Sequence, residues 1–172
     1  MFRLACACRV PRRWLAEQNI RPQRLTFEIT ETHILDVSGT VVTVLERLHD
    51  LGVKLAIDDF GTGYSSMSTL STLRLDELKI DRSFVSAVLD RGADLAIVRA
   101  MVSLARGLDL IVTAEGVEDQ PTATLLAELG CDELQGYFFA KPMSWSDLLD
   151  YVAWLSGAAD PIQAPERPRR AA

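Results

Sequence analysis

The fold is decided by residues 53–59, VKLAIDD, a short aliphatic run that ends in two adjacent acids, Asp58 and Asp59. Its length and composition predict a buried β-strand. A helical pattern precedes the run, with apolar residues three and four positions apart at Val41, Val44, Leu45, Leu48 and Leu51. Gly52 separates helix from strand, at the place where a left-handed helix C-cap favours glycine. A helix that leads straight into a strand is typical of α/β proteins.

The same alternation of strand and helix continues on both sides of this stretch. Further strands are predicted at residues 25–30 (LTFEIT), 78–81 (LKID), 108–115 (LDLIVTAE) and 133–137 (ELQGY), and further helices near 14–20, 94–107, 121–129 and 144–155. Such repetition predicts parallel strands joined by right-handed crossovers. About five to six βα units fit the spacing, whereas a closed eight-unit barrel needs about 250 residues. We therefore expect a parallel sheet with at least one exposed strand edge.

The composition is that of one globular domain with a substantial core. The chain has 172 residues, of which 48% are hydrophobic and 24% charged. No apolar run is long enough to cross a bilayer, which favours a cytoplasmic protein without a membrane segment. The formal net charge of -6 argues against polymeric DNA or RNA as a ligand. Three cysteines without a Cys-x-x-Cys pair indicate neither a disulfide framework nor a zinc ribbon.

Charged residues gather where the predicted strands end. Four strands end in acids or a lysine, and the residues are Glu28, Asp58, Asp59, Lys79 and Glu115. In parallel α/β folds ligands bind at the carboxyl ends of the strands, because the loops there are free to build a site. We therefore expect these side chains to share one mouth of the sheet.

Several carboxylates at one mouth need a compensating charge, because two like charges about 4 Å apart repel by about 4 kcal/mol at an effective dielectric of about 20. Lys79 can neutralise one of them. A hard divalent cation such as Mg²⁺ or Mn²⁺ suits oxygen ligands better than zinc does. A single acid at a strand end is also a common helix cap or solvated loop residue, so the residues alone leave both interpretations open. Residues 60–66, FGTGYSS, predict a mobile loop beside the mouth.

Five motifs, taken in order, resemble those of the EAL phosphodiesterase family. They are residues 28–31 (EITE), 58–66 (DDFGTGYSS), 78–81 (LKID), 114–118 (AEGVE), and 135–137 (QGY) with 141–142 (KP). Five ordered motifs are far more specific than a lone glycine motif. The resemblance implies an incomplete TIM-like (β/α)8 barrel with a parallel sheet. It divides the chain into a divergent N-terminal segment at residues 1–10, a partial EAL domain at residues 11–157 and a disordered tail at residues 158–172, which are rich in Pro, Arg and Ala.

The resemblance implies an activity in bacterial second-messenger signal transduction. Members of the family hydrolyse one phosphodiester of cyclic di-GMP to the linear dinucleotide pGpG, using Mg²⁺ or Mn²⁺, and are inhibited by Ca²⁺. It further implies cyclic di-GMP as the partner, sensory or GGDEF domains fused to or associated with the domain, and the possibility of a homodimer.

Individual residues carry over by their place in the motifs. Glu28, Asp58 and Asp59 resemble metal ligands. Lys79 resembles the residue that orients the attacking water and the phosphate, and Glu115 resembles the family's general base or metal ligand. Gln135, Glu118 and Pro142 resemble substrate contacts. Glu31 resembles a loop anchor. For Glu31 and Glu118 a plain loop salt bridge or cap is the alternative.

The sequence departs from the family before Glu28. No Glu-Ala-Leu tripeptide precedes that residue, and Asn19, the only asparagine nearby, lies in the predicted first helix rather than in the position of the family's asparagine ligand. Two oxygen ligands fewer should weaken Mg²⁺ binding and impair hydrolysis, because Mg²⁺ demands near-octahedral geometry. The alternative function is a catalytically inactive EAL module that binds nucleotide or a partner protein.

Overall fold

The computed structural model describes residues 10–31, 39–63, 70 and 73–157. Five strands form one sheet in the order in which they occur in the chain. They are β1 (Thr26–Thr30), β2 (Lys54–Phe60), β3 (Glu77–Ile80), β4 (Ile111–Glu115) and β5 (Glu133–Gln135). Every neighbouring pair is parallel. The predicted α/β architecture with a parallel sheet is therefore confirmed.

Six α-helices connect and flank these strands in the part of the chain that the structure describes. They are α1 (Val10–Glu17), α2 (Gly39–Asp50), α3 (Arg82–Val85), α4 (Gly92–Gly107), α5 (Gln120–Leu129) and α6 (Trp145–Leu155). All but the short α3 were expected from the sequence pattern, but α1 begins and ends earlier than the predicted 14–20. Asn19, expected within that helix, lies beyond its end with φ +53°. Gly52 has φ +88°, in agreement with the predicted left-handed C-cap between α2 and β2. In the described residues, no helix has the length and apolar character needed to span a membrane.

The two faces of the sheet differ in polarity. Strand alternation places one set of apolar side chains on the helix side, each at most 1% exposed: Leu55, Ile57, Leu78, Ile80, Val112 and Ala114. Helices α2, α4 and α5 cover that side with their own buried apolar residues. The opposite face carries charged and hydroxyl side chains, so the sheet buries its core on one side and concentrates polar groups on the other.

Two strands are shorter than the sequence predicts. Residues 108–110 were expected to open β4, but Leu108 and Leu110 donate their backbone N–H groups to carbonyls of α4 and so complete the helix end. Residues 136–137 were expected to extend β5. There the chain turns away, because Phe139 donates to the Gly136 carbonyl and Phe138 donates to the Val117 carbonyl.

An Asp-Glu-Leu sequence occurs twice and fixes strand register at the amino ends of β3 and β5. The Asp76 carboxylate accepts a hydrogen bond from the Leu55 N–H at 2.8 Å, and the backbone N–H of Asp76 donates to the Leu55 carbonyl at 2.8 Å. Asp132 does the same with Val112, at 2.8 and 2.9 Å. Each aspartate side chain thus satisfies a strand N–H at the end of the sheet opposite the acidic mouth.

The sheet is open at both sides within the described residues. Strands β1 and β5 stand at its two ends, and each has a strand neighbour on one side only. This agrees with the expectation of an exposed edge and of an incomplete barrel. The segment at residues 1–10, with the exception of Val10, and the predicted disordered tail at residues 158–172 lie outside the described residues.

Candidate functional site

Lys79 lies at the centre of the mouth at the carboxyl ends of the strands. It is 6% exposed. Its ammonium nitrogen, Nζ, is 2.7 Å from Glu28 Oε1, 3.4 Å from Asp58 Oδ1 and 2.5 Å from Glu115 Oε1. These carboxylates come from β1, β2 and β4. The structure therefore brings together the side chains that the strand ends were expected to gather, with a lysine among them.

The environment of Lys79 favours its charged form. Burial alone would lower the pKa of the ammonium, but hydrogen bonds to Glu115 and Glu28 and the charges of Glu115 and Asp58 together raise that pKa above its ordinary value. Lys79 thus stays protonated at any physiological pH. It supplies a fixed positive charge to the mouth.

A β-bulge explains how two consecutive aspartates serve one mouth. In a regular strand Asp58 and Asp59 would face opposite sides. The pairing of β2 with β3 shifts register between Ile57 and Phe60, and Asp59 takes a left-handed backbone with φ +54°. Partial burial and the negative charges of Asp58 and Asp81 raise the pKa of Asp59, while Lys79 opposes them. The second aspartate therefore shares the electrostatic field of the mouth.

Glu31 lies directly beneath the loop that follows β2. Its side chain is 2% exposed, and Oε2 accepts the backbone N–H groups of Gly61 and Gly63, both at 2.9 Å. Glu31 thus contacts the loop at two backbone positions, and its role as the loop anchor stays a prediction. Residues 64–66 of the predicted mobile loop lie outside the described residues.

We expect Glu31→Gln to destabilise the fold by about 2 kcal/mol, because two hydrogen bonds to a charged acceptor become bonds to a neutral one. Urea unfolding followed by circular dichroism measures this difference. Glu46→Gln on the exposed face of α2 is the control and should leave the unfolding midpoint unchanged. Equal midpoints for the two variants would contradict the anchor.

The remaining predicted site residues are Gln135, Glu118 and Pro142. Gln135 is exposed and pairs in register with Glu115 across β4 and β5. Glu118 Oε1 is 2.6 Å from Arg82 Nη2, the salt bridge that was the alternative for this residue. Pro142 is exposed between β5 and α6. The structure thus brings Gln135 beside the cluster, pairs Glu118 with an arginine, and leaves Pro142 in the solvent-facing segment before α6.

A cavity of about 350 Å³ adjoins the cluster on the β5 side. Its lining is Thr113, Glu133, Leu134, Gln135, Gly136, Phe139 and Ala140. Thr113 is buried and donates a hydrogen bond from Oγ1 to Glu77 Oε1 at 2.5 Å. Gln135 lines this space and pairs in register with Glu115, so it lies next to the lysine-centred cluster.

The carboxylates suit a divalent cation chemically but are engaged with Lys79. Within residues 10–31, 39–63, 70 and 73–157, no group of three or more His, Cys, Asp or Glu side chains is arranged to hold a metal ion. Asp58 Oδ1 is nevertheless buried and accepts no hydrogen bond from the described residues. Among the described residues the positive partner of this oxygen is Lys79 Nζ at 3.4 Å, a contact too long for a strong hydrogen bond, which leaves the oxygen able to accept a cation. Hard oxygen donors of this kind fit Mg²⁺ or Mn²⁺.

Two residues of the mouth were not among the predicted site residues. Asp81 caps α3 by accepting from the Ser83 N–H at 3.0 Å, and its charge acts on Asp59. Its spacing of two from Lys79 in the LKID motif could have indicated it. Arg82 contacts the loop that follows β4. No pattern in the sequence points to that contact.

A family model described as the EAL domain matches residues 8–142 of this chain. The chain belongs to the EAL domain family. Among curated relatives, the bifunctional diguanylate cyclase/cyclic di-GMP phosphodiesterase MucR of Pseudomonas aeruginosa is 42% identical over 139 residues, which are 81% of this chain and 20% of that protein. The cyclic di-GMP phosphodiesterase RocR of the same organism is 39% identical over 139 residues, 81% of this chain and 36% of that protein.

Solved EAL structures share the fold of this EAL domain. The PaMucR phosphodiesterase in complex with c-di-GMP superposes with a TM-score of 0.76 at 38% identity, covering 84% of this chain and 61% of that chain. The EAL domain of Mycobacterium smegmatis DcpA has a TM-score of 0.74 at 40% identity, covering 86% and 65%. Klebsiella pneumoniae BlrP1, in a manganese and cy-diGMP complex, has a TM-score of 0.70 at 36% identity, covering 74% and 33%. The EAL domain described here thus spans only part of each relative.

Proposed function

We propose that this EAL domain binds cyclic di-GMP at the lysine-centred mouth and hydrolyses one of its phosphodiester bonds to give pGpG, with Mg²⁺ or Mn²⁺. The observation that carries the proposal is the meeting of Glu28, Asp58 and Glu115 around Lys79 at the ends of three parallel strands. The relatives named as cyclic di-GMP phosphodiesterases support the choice of substrate.

The metal would be held by Glu28, Asp58 and Asp59. When bound, it supplies positive charge to the phosphoryl oxygens and lowers the pKa of a coordinated water. Metal binding would compete with Lys79 for carboxylate oxygens, and Glu28 would be the ligand best able to reorient because its side chain is 53% exposed. BlrP1 structures with manganese and with calcium support a divalent metal in this family.

Two side chains have separate roles in the reaction, one toward the charge of the phosphate and one toward the proton of the attacking water. Lys79 stays protonated and therefore orients a negatively charged phosphate oxygen by charge and hydrogen bonding. Glu115 accepts a proton from the attacking water as general base. The water oxygen forms a bond to phosphorus, the bond from phosphorus to the 3′ oxygen breaks, and that oxygen leaves as a hydroxyl after gaining a proton from solvent water. Gln135, Glu118 and Pro142 contact the nucleotide.

Incubation of the chain with cyclic di-GMP and Mn²⁺, followed by anion-exchange chromatography, tests the activity. We expect slow formation of pGpG by the wild type and none by Glu115→Gln, which keeps the shape of the side chain without its charge. Tight binding with no product in the wild type would overturn hydrolysis and favour the alternative, an inactive EAL module. The engagement of three carboxylates with Lys79 favours that second candidate. Neither binding nor product would overturn both.

We expect Mn²⁺ to raise the thermal midpoint of the chain near neutral pH, because it relieves repulsion among carboxylates and binds only the folded state. Asp58→Asn should weaken Mn²⁺ binding at least about tenfold, equivalent to about 1.4 kcal/mol. Glu118→Gln should weaken it less. Asp50→Asn, at the exposed end of α2, should leave it unchanged. Calorimetric titration that gave equal affinities for the three variants would remove Asp58 from the ligand set.

Three further features stay predictions for this EAL domain. They are a cytoplasmic location, fusion to or association with sensory or GGDEF domains, and formation of a homodimer. The curated relatives support the second, because MucR is named as bifunctional and the chain matches 20% of its length.

A further inference from the structure

The loop that follows Glu115 is tied to β5. Val117 is fully buried, and its N–H donates to the Gln135 carbonyl at 3.0 Å. Its own carbonyl accepts from the Phe138 N–H at 3.0 Å. The backbone that carries Glu115 therefore fixes the backbone that carries Gln135, and a displacement of one moves the other.

The same loop contacts Arg82 on its other side. Arg82 begins α3, three positions after Lys79. Its side-chain stem lies across the backbone of Gly116, which has φ +73°, so closely that a Cβ at Gly116 would be 2.3 Å from Arg82 Cγ. Its guanidinium nitrogen Nη2 is 2.6 Å from Glu118 Oε1. Gly116 thus provides the space in which the arginine stem lies.

These contacts connect three strand ends through one side chain. Arg82 extends from the end of β3 to the loop after β4, and Val117 continues the connection to the end of β5. The three strands carry Lys79, Glu115 and Gln135 respectively. The ion pair itself is exposed, 63% for Arg82 and 53% for Glu118, so it adds little to global stability. The ion pair instead constrains the position of the loop after β4 relative to the end of β3.

We propose that Arg82 is a positioning residue that holds the Glu115 to Glu118 loop against β3 and thereby sets the places of Glu115 and Gln135 relative to Lys79. The inference deepens the proposed function, because those three residues act together only if the mouth is the reaction site. Arg82 itself contacts no reacting atom in this scheme.

Amide hydrogen exchange and Mn²⁺ titration of Arg82→Met test the proposal. We expect exchange of the Val117 amide to become at least about tenfold faster, with exchange in the core strands unchanged. Mn²⁺ affinity should fall several-fold, because a Glu115 displaced from Lys79 leaves that ammonium to Glu28 and Asp58, two of the residues proposed to hold the metal. Arg74→Met is a matched control, since Arg74 is also 63% exposed and pairs with Asp50 at 3.3 Å. That variant should change neither measurement.

Charge reversal separates positioning from a general effect on folding. Arg82→Glu alone should accelerate exchange of the Val117 amide, and Arg82→Glu combined with Glu118→Arg should restore at least part of the protection. Exchange in Arg82→Met equal to that in Arg74→Met would overturn the proposal. If the wild type binds no Mn²⁺, the metal-dependent function fails, and the exchange measurements still decide whether Arg82 holds the loop.

Discussion

Lys79→Met is expected to lower the free energy of unfolding by about 3 kcal/mol at pH 7, because it leaves carboxylates that face one another without their shared cation. The figure is at the low end for a broken buried pair, since Glu28 is half-exposed and water screens part of the repulsion. Urea denaturation measures it. Lys54→Met is the control. Lys54 lies on the same face of the sheet as Asp58 and makes no ion pair with the described residues. A loss equal to the control's would contradict the central role of Lys79.

The pH dependence of this difference has a defined sign. The pKa of Lys79 is raised in the folded state, so its contribution is fully present below the unfolded lysine pKa of about 10.4. The contribution diminishes as pH rises above that value toward the raised folded pKa. The stability gap between wild type and Lys79→Met should therefore be constant from pH 7 to about pH 10 and narrow above it. Denaturation curves across this range provide the measurement.

Gly136→Ala is expected to destabilise the fold by about 3 kcal/mol or more, as an overpacked site without room to relax. A Cβ at this position would be 2.1 Å from the Val117 carbonyl oxygen and 2.3 Å from the Val117 nitrogen. Those are backbone atoms, and both are hydrogen-bonded to neighbouring segments. The clash therefore cannot be relieved by rotation of a side chain. Thermal unfolding measures the loss.

Gly107→Ala is the matched control for that substitution. No atom lies within 4 Å of a Cβ built at Gly107, the last residue of α4. Alanine there should be neutral or slightly stabilising, because it reduces the freedom of the unfolded chain. A Gly136→Ala variant as stable as Gly107→Ala would contradict the prediction. It would mean that the Val117 backbone can move enough to make room for the added Cβ.

The sequence pattern predicted the strands because each is a short aliphatic run bounded by a helix end or a polar residue. All five parallel strands lie where expected, within a few residues. The errors fall at residues 108–110 and 136–137, where the chain forms hydrogen bonds to a helix end and to the loop after β4. Such bonds depend on tertiary contacts. Residue propensity does not encode them.

The candidate site was predictable where strand alternation applies and unpredictable where it fails. Glu28, Lys79 and Glu115 share a face because their strands are regular. The placement of Asp59 depends on a β-bulge between Ile57 and Phe60, and no residue in that stretch predicts the bulge. The role of Arg82 depends on two segments meeting in space. The motifs of the EAL family indicated the pair Asp58 and Asp59 without explaining its geometry.

The paired aspartates at the amino ends of β3 and β5 have a consequence for engineering this domain. Asp76 and Asp132 each clasp the preceding strand of the sheet, at the end remote from Lys79. These hydrogen bonds fix strand register at the end of the sheet opposite the proposed substrate site. Register therefore does not depend on the residues of the rim alone. A library that varies the exposed rim positions while keeping Glu31, Lys79, Gly136 and both Asp-Glu-Leu segments should retain more folded members than one that varies the two Asp-Glu-Leu segments instead.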